Sequence, residues 1–149
     1  MQVHTRFFDE ITIEQDAVIT FPNGLPGFLE EKEFVLLPID ENGIYQALQS
    51  IHSKEVCLVT LNPYTIYGDY EFDLDQATID VLNIEKPEEV QVLSVATLRE
   101  PFSQSTINLQ APIIVNVINR KAKQVILNSP IYQTKHPLQP KEGDDHART

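Results

Sequence analysis

The side chains here that could do chemistry are few, and the densest group is Asp69-Tyr70-Glu71-Phe72-Asp73-Leu74-Asp75. Carboxylates hold every second position, and Tyr70, Phe72 and Leu74 hold the places between. In an extended chain, successive side chains point to opposite faces, so the acids line one face and the apolar groups the other. Carboxylates about 7 Å apart along a strand repel one another unless water or a cationic partner relieves them. One reading is a solvated edge strand whose charge discourages sheet-to-sheet aggregation. The other is a strip that docks a basic partner. Calcium is a further candidate, because an EF-hand loop also carries acids at its first, third and fifth places. Such a loop needs glycine at the sixth place and glutamate at the twelfth, where Leu74 and Asp80 stand, so no metal is expected.

Other reactive groups are isolated. Cys57 lies inside the apolar run Val56–Leu61, and a nucleophilic thiolate needs exposure and nearby positive charge. It reads as a buried core thiol. His4, His52, His136 and His146 do not pair with one another or with Cys57 at a metal-ligand spacing. There is no G-x-S-x-G elbow, phosphate-binding glycine loop or H-E-x-x-H. The sequence therefore predicts a binding protein, not an enzyme, and no cofactor. The rivals from other classes are a β-barrel hydrolase or ligand-binding protein, or a calcium module. The first would need a pocket of convergent polar groups with perturbed pKa values. A second distinctive stretch is Phe21-Pro22-Asn23-Gly24-Leu25-Pro26-Gly27-Phe28. Its prolines fix φ and its glycines allow positive φ, so it forms a stiff, shaped loop. Leu25 and Phe28 either plug the core or help to form an apolar groove.

The elements that must position these residues show a period of two. Val18–Phe21, Phe34–Pro38, Ile44–Leu48, Val56–Leu61, Val90–Leu98, Thr106–Leu109, Ile113–Ile118 and Gln124–Leu127 read as strands. Asp40 to Gly43 tips one hairpin, and Asn119 to Lys123 tips another. Asp75–Leu82 reads as the one short helix, with Asp75 as its cap and Lys86-Pro87 ending the region. With one helix there are no repeated βαβ units, so the fold is expected to be all-β, mainly antiparallel, a small β barrel with one short helix. A chain of 149 residues suits one domain and buries roughly 70% of its unfolded surface. That domain is expected over residues 1–133, with a polar, disordered tail over 134–149.

The net charge is −11, and it is uneven. Residues 1–90 hold 18 acids and 4 bases, whereas residues 91–149 hold 4 acids and 7 bases. Nucleic-acid binding gains from cations that displace counterions, so direct RNA or DNA contact is not expected. Acidity of this kind either keeps the protein soluble or draws in a basic protein. A single cysteine excludes an internal disulfide and suits a reducing compartment. No apolar run approaches the roughly 18 residues that span a membrane, and Met1–Glu10 lacks a signal-peptide core. The chain is expected in the cytoplasm, away from membranes.

Five blocks together resemble the flagellar assembly factor FliW family. They are Phe21–Phe28, Leu48-Gln49-Ser50, Pro63 with Asp69-Tyr70, Asn108-Leu109-Gln110-Ala111-Pro112-Ile113, and Gln124-Val125-Ile126-Leu127, in order across residues 21–127. The resemblance implies a small antiparallel β barrel and a regulator that binds flagellin and the translational repressor CsrA in the cytoplasm. Free of flagellin, such a protein holds CsrA off the flagellin messenger; occupied by flagellin, it releases CsrA. It implies a block of RNA binding from a separate site rather than by covering the RNA site. The free chain is expected to be a monomer. The family blocks do not assign the contacts; from the residues themselves, Asp69, Glu71, Asp73 and Asp75 are expected to dock CsrA, with Tyr70 and Phe72 packed beneath. Leu25, Phe28, Phe34 and Leu36 are likewise expected to form a groove for a flagellin helix.

Overall fold

A computed structural model of the chain describes residues 1–138. The chain opens with a hairpin the period-two reading does not pick out, β1 (Gln2–Thr5) and β2 (Asp9–Thr12), with Val3 opposite Ile11. Val3 and Ile13 bury with Val18 and Val35 as a small separate cluster. Then come β3 (Ile19–Thr20), β4 (Glu33–Pro38), β5 (Tyr45–Ser50) and β6 (Cys57–Leu61). Among the described residues the single α-helix is α1 (Gln76–Leu82), followed by β7 (Val90–Thr97), β8 (Thr106–Ile107), β9 (Ile113–Asn116), β10 (Ala122–Gln124) and β11 (His136–Pro137).

The main sheet runs β10-β9-β7-β6-β5-β4-β3, with β8 also on β7 and β11 on β8. Every ladder in it is antiparallel. The expected all-β class with one short helix is therefore present, and among the described residues no continuous ladder closes the sheet into a full barrel. Its two edges meet at one parallel bridge, Thr20 with Lys121, where the Thr20 amide donates to the Arg120 carbonyl at 2.8 Å. β3 is two residues long and Pro22 follows it closely, so there is no strand left to extend that contact.

The sheet encloses a core of Ile19, Phe21, Leu25, Phe34, Leu48, Leu93 and Ile113. The Phe21 and Phe34 rings meet edge to face at 5.3 Å, an arrangement worth about 0.5–1.5 kcal/mol beyond area burial. Gly24 makes the inward turn possible. Its φ is +78°, and a Cβ there would sit 2.3 Å from the Leu29 carbonyl oxygen. A second core gathers Leu61, Tyr70, Ile107, Leu109, Leu127 and Leu138.

Two further boundaries move. Regular pairing of β10 covers Ala122–Gln124, not Gln124–Leu127, although the Val125 and Leu127 amides still donate to the Pro112 and Gln110 carbonyls at 3.0 and 2.8 Å. The tail expected from Thr134 is structured at its start. β11 pairs with β8, and Leu138 is 2% exposed in the second core, so the domain runs past residue 133. A two-residue strand with one apolar anchor has no periodicity to read. The rest of that tail, 139–149, lies outside the described residues.

Candidate protein-binding surface

Residues 69–75 belong to no strand, yet the expected alternation of faces holds. Asp69, Glu71, Asp73 and Asp75 are exposed, Tyr70 is buried, and Phe72 and Leu74 are half-buried. Asp69 stands in a turn closed by the Tyr70 amide donating to the Tyr67 carbonyl at 3.0 Å, and from Tyr70 onward side chains, not backbone pairing, hold the segment. The Tyr70 hydroxyl donates to the Leu109 carbonyl at 2.6 Å. Its ring packs against Tyr132 at 4.7 Å, Phe72 at 5.2 Å and Tyr64 at 5.6 Å. Burial, together with the neighbouring Tyr64 and Tyr132 hydroxyls, pushes the Tyr70 phenol far up, so it stays protonated and keeps donating. The Glu71 amide donates to the Tyr132 hydroxyl at 2.9 Å. The C-terminal segment thus clamps the strip from outside. The Asn108 side chain fixes the Leu109 carbonyl by accepting from the Gln110 and Ala111 amides, each at 3.0 Å.

The four carboxylates are not equivalent. Asp75 is committed to α1, where it accepts from the Thr78 amide at 3.1 Å. The Thr78 hydroxyl and amide facing it hold its carboxyl below the usual range, although only the amide makes a hydrogen bond of good geometry. Among the described residues, Asp69, Glu71 and Asp73 make no ion pair. Three uncompensated carboxylates therefore stand on an aromatic base.

Beside them lies a groove that no sequence period announces. It has a volume of about 630 Å³ and an apolar lining of Tyr64, Phe72, Leu74, Ile79, Ile84, Val90 and Val92. Asp73, Glu85 and Lys86 edge it. Three chain segments meet there, and only their packing brings them together. Asn116 holds one wall by donating from Nδ2 to the Leu82 carbonyl at 2.8 Å, just where Asn83 ends α1 in a left-handed turn.

The other expected surface is only partly assembled. Leu25 and Phe34 are 1% and 0% exposed, so both serve the core and cannot line an open groove in this conformation. Leu36 is half-buried against the same core. Phe28 remains, 41% exposed, and Leu29, which the sequence reading passes over, is 64% exposed beside it. They flank a hollow of about 320 Å³ with Glu30, Glu31 and Val56. The loop is pinned from below: Glu31 accepts from the Ser50 hydroxyl and from the Ser53 hydroxyl at 2.9 Å. Gln49, fully buried, donates to the Ser50 and Lys54 carbonyls at 3.0 and 3.1 Å and accepts from the Arg6 amide at 2.9 Å. The Gln49-Ser50 block is thus a structural tie.

Cys57 is buried, and desolvation pushes its thiol up although Arg6 opposes the shift. Among the described residues no three His, Cys, Asp or Glu side chains are placed to hold a metal ion. No helix among them is long and apolar enough to cross a membrane.

Comparison with known proteins gives one result throughout. The family model described as FliW protein matches residues 2–138. The flagellar assembly factor FliW of Bacillus subtilis (strain 168) is 44% identical over 138 residues, covering 93% of this chain and 96% of that protein. The protein of the same description from Oceanobacillus iheyensis is 44% identical over 147 residues, covering 97% of this chain and 100% of its own length. A crystal structure of the flagellar assembly factor FliW matches with a TM-score of 0.89 at 38% identity, covering 95% of this chain and 99% of that one.

Proposed function

Because the chain belongs to the FliW family of flagellar assembly factors, we propose that it is a partner switch that binds flagellin or CsrA in the cytoplasm. Flagellin that accumulates occupies the chain, CsrA is released, and translation of the flagellin messenger stops. Flagellin that is exported leaves the chain free to hold CsrA off that messenger. The switch works as a monomer, without catalysis and without touching nucleic acid itself.

The observation that carries the CsrA arm is the strip of three uncompensated carboxylates on a fixed aromatic base. A repressor that binds RNA must present cations to phosphates, so its surface has the complementary sign. The flagellin arm rests on Phe28 and Leu29, exposed apolar groups on a pinned loop, a suitable landing for the apolar face of a helix.

Reversing Asp69 and Asp73 together to Lys tests the first arm. The strip bears its charge at the surface, so the melting temperature should hold within a few degrees. CsrA affinity should fall at least about tenfold, since like charges brought together across an interface cost several kcal/mol. Unchanged affinity at low salt, where such interactions are strongest, would sink the reading.

A further inference from the structure

Strand β7 changes partners along its length. Val90–Leu93 pair with β9, while β6 reaches only Ser94–Ala96. Residues of an antiparallel strand alternate in which edge their N–H and C=O groups face. The Val117 amide donates to the Glu89 carbonyl at 2.8 Å, which turns the odd-numbered residues of β7 toward β9. Val90 and Val92 therefore face the opposite edge, where β6 would have to continue. It does not: extending the Leu61–Ser94 register would set Pro63 opposite Val92. Pro63 has no N–H and begins a tight 3-10 turn, Pro63–Thr65, which ends the ladder and leaves Tyr64 lining the groove beside Val92. The Val90 amide bends back to the Pro87 carbonyl. The Val92 amide and carbonyl face that edge, and among the described residues no hydrogen bond from outside the ladders reaches them.

That open edge gives onto the apolar groove, whose lining includes Val90 and Val92. The surrounding chain is acidic, with eight carboxylates against Lys86 alone between residues 69 and 89. We propose that the groove and the unpaired edge of β7 together dock an extended segment of a basic protein, which pairs with the Val92 backbone. Alternate side chains of such a segment point opposite ways. One set, apolar, enters between Leu74, Ile84 and Val92; the other, lysine or arginine, faces the carboxylates of the rim. This is strand addition at a sheet edge, in which the backbone supplies affinity and the pocket selectivity. For its partner the inference rests on the acidic strip being a protein-docking surface, and it gives that docking its form.

The test uses the full chain and a short soluble peptide alternating valine and lysine, with a valine–glutamate counterpart. The lysine peptide should bind saturably, slow hydrogen exchange of the Val92 amide at least about tenfold, and leave the already paired odd-numbered amides of β7 unchanged. The glutamate peptide should not bind. Leu74→Lys and Ile84→Lys should each weaken the lysine peptide at least about tenfold. The exchange readout on the unaltered chain stands whether or not those variants fold. No saturable binding, or binding that leaves Val92 exchanging freely, overturns the proposal. Purified CsrA separates the two readings. If CsrA binds and is lost in the Asp69→Lys/Asp73→Lys chain without protecting Val92, the docking mode fails and the function stands. If CsrA does not bind at all while the peptide protects Val92, the function fails and the edge serves another basic partner.

Discussion

At the scale of single residues, the acidic strip divides by what each carboxylate already does. Asp75 is bonded within the protein, whereas Asp69, Glu71 and Asp73 face water. The Asp75 carboxyl is held below its ordinary value of 3.8 by Thr78, so the folded state favours its ionised form. That contribution is complete above the unfolded carboxyl's ordinary pKa and is lost as pH falls through the depressed folded value. Asp75→Asn should therefore lower the melting temperature at neutral pH, and the gap between the two proteins should shrink as pH drops below about 4. Melting curves across pH 2–7 check this. A gap that stays constant with pH would mean that the cap acts through geometry alone. Tyr70 shows the opposite economy: its ring is buried and its hydroxyl is spent on one carbonyl, so it can only support the strip.

At the scale of elements, the short C-terminal strand matters more than its length suggests. β11 sits on β8, the Tyr67 hydroxyl donates to the Pro137 carbonyl at 2.6 Å, and the Leu138 amide donates to the Ser105 carbonyl at 2.9 Å. Leu138 seals the second core beneath Tyr70. Leu138→Ala should cost about 2–5 kcal/mol, the range for deleting a buried leucine side chain. Chemical denaturation measures it. The neighbouring strip should loosen as well, so the Glu71 amide, now bonded to Tyr132, should exchange faster in this variant. Strand β7 is a second case. Its eight residues serve three neighbours, and the place where β6 drops away is set by one proline.

At the scale of the molecule, the expected partner surfaces lie over different cores. The Phe28–Leu29 loop belongs with the first core through Leu25, whereas the strip stands on the second through Tyr70. Replacing both Phe28 and Leu29 by Ser should weaken flagellin at least about tenfold, because exposed apolar anchors carry helix-in-groove contacts. CsrA affinity should stay within about twofold, since distant sites without shared partners act independently. Paired calorimetric titrations decide it, and an equal loss of both partners would place them on one surface.

Much of this was legible in the sequence. The alternation in Asp69–Asp75 fixed which side chains face water, because charged groups stay in water and the apolar ones between them bury, with or without a ladder. The cap at Asp75, the burial of Cys57 and most strand positions follow from equally local rules. The five family blocks carried the family, since their order survives along a chain whatever its folding. Other features needed the tertiary structure. Leu25 and Phe28 share one loop and similar chemistry, yet one is core and the other surface, because the turn at Gly24 brings the Leu29 backbone close against it. The groove and the open edge of β7 join segments far apart in the sequence, and local periodicity carries no information about which distant segments meet. The acidic strip was visible as a pattern of charge. That its carboxylates divide into one cap and three free groups, above a clamp of Tyr70 and Tyr132, was decided only by contacts made across the fold.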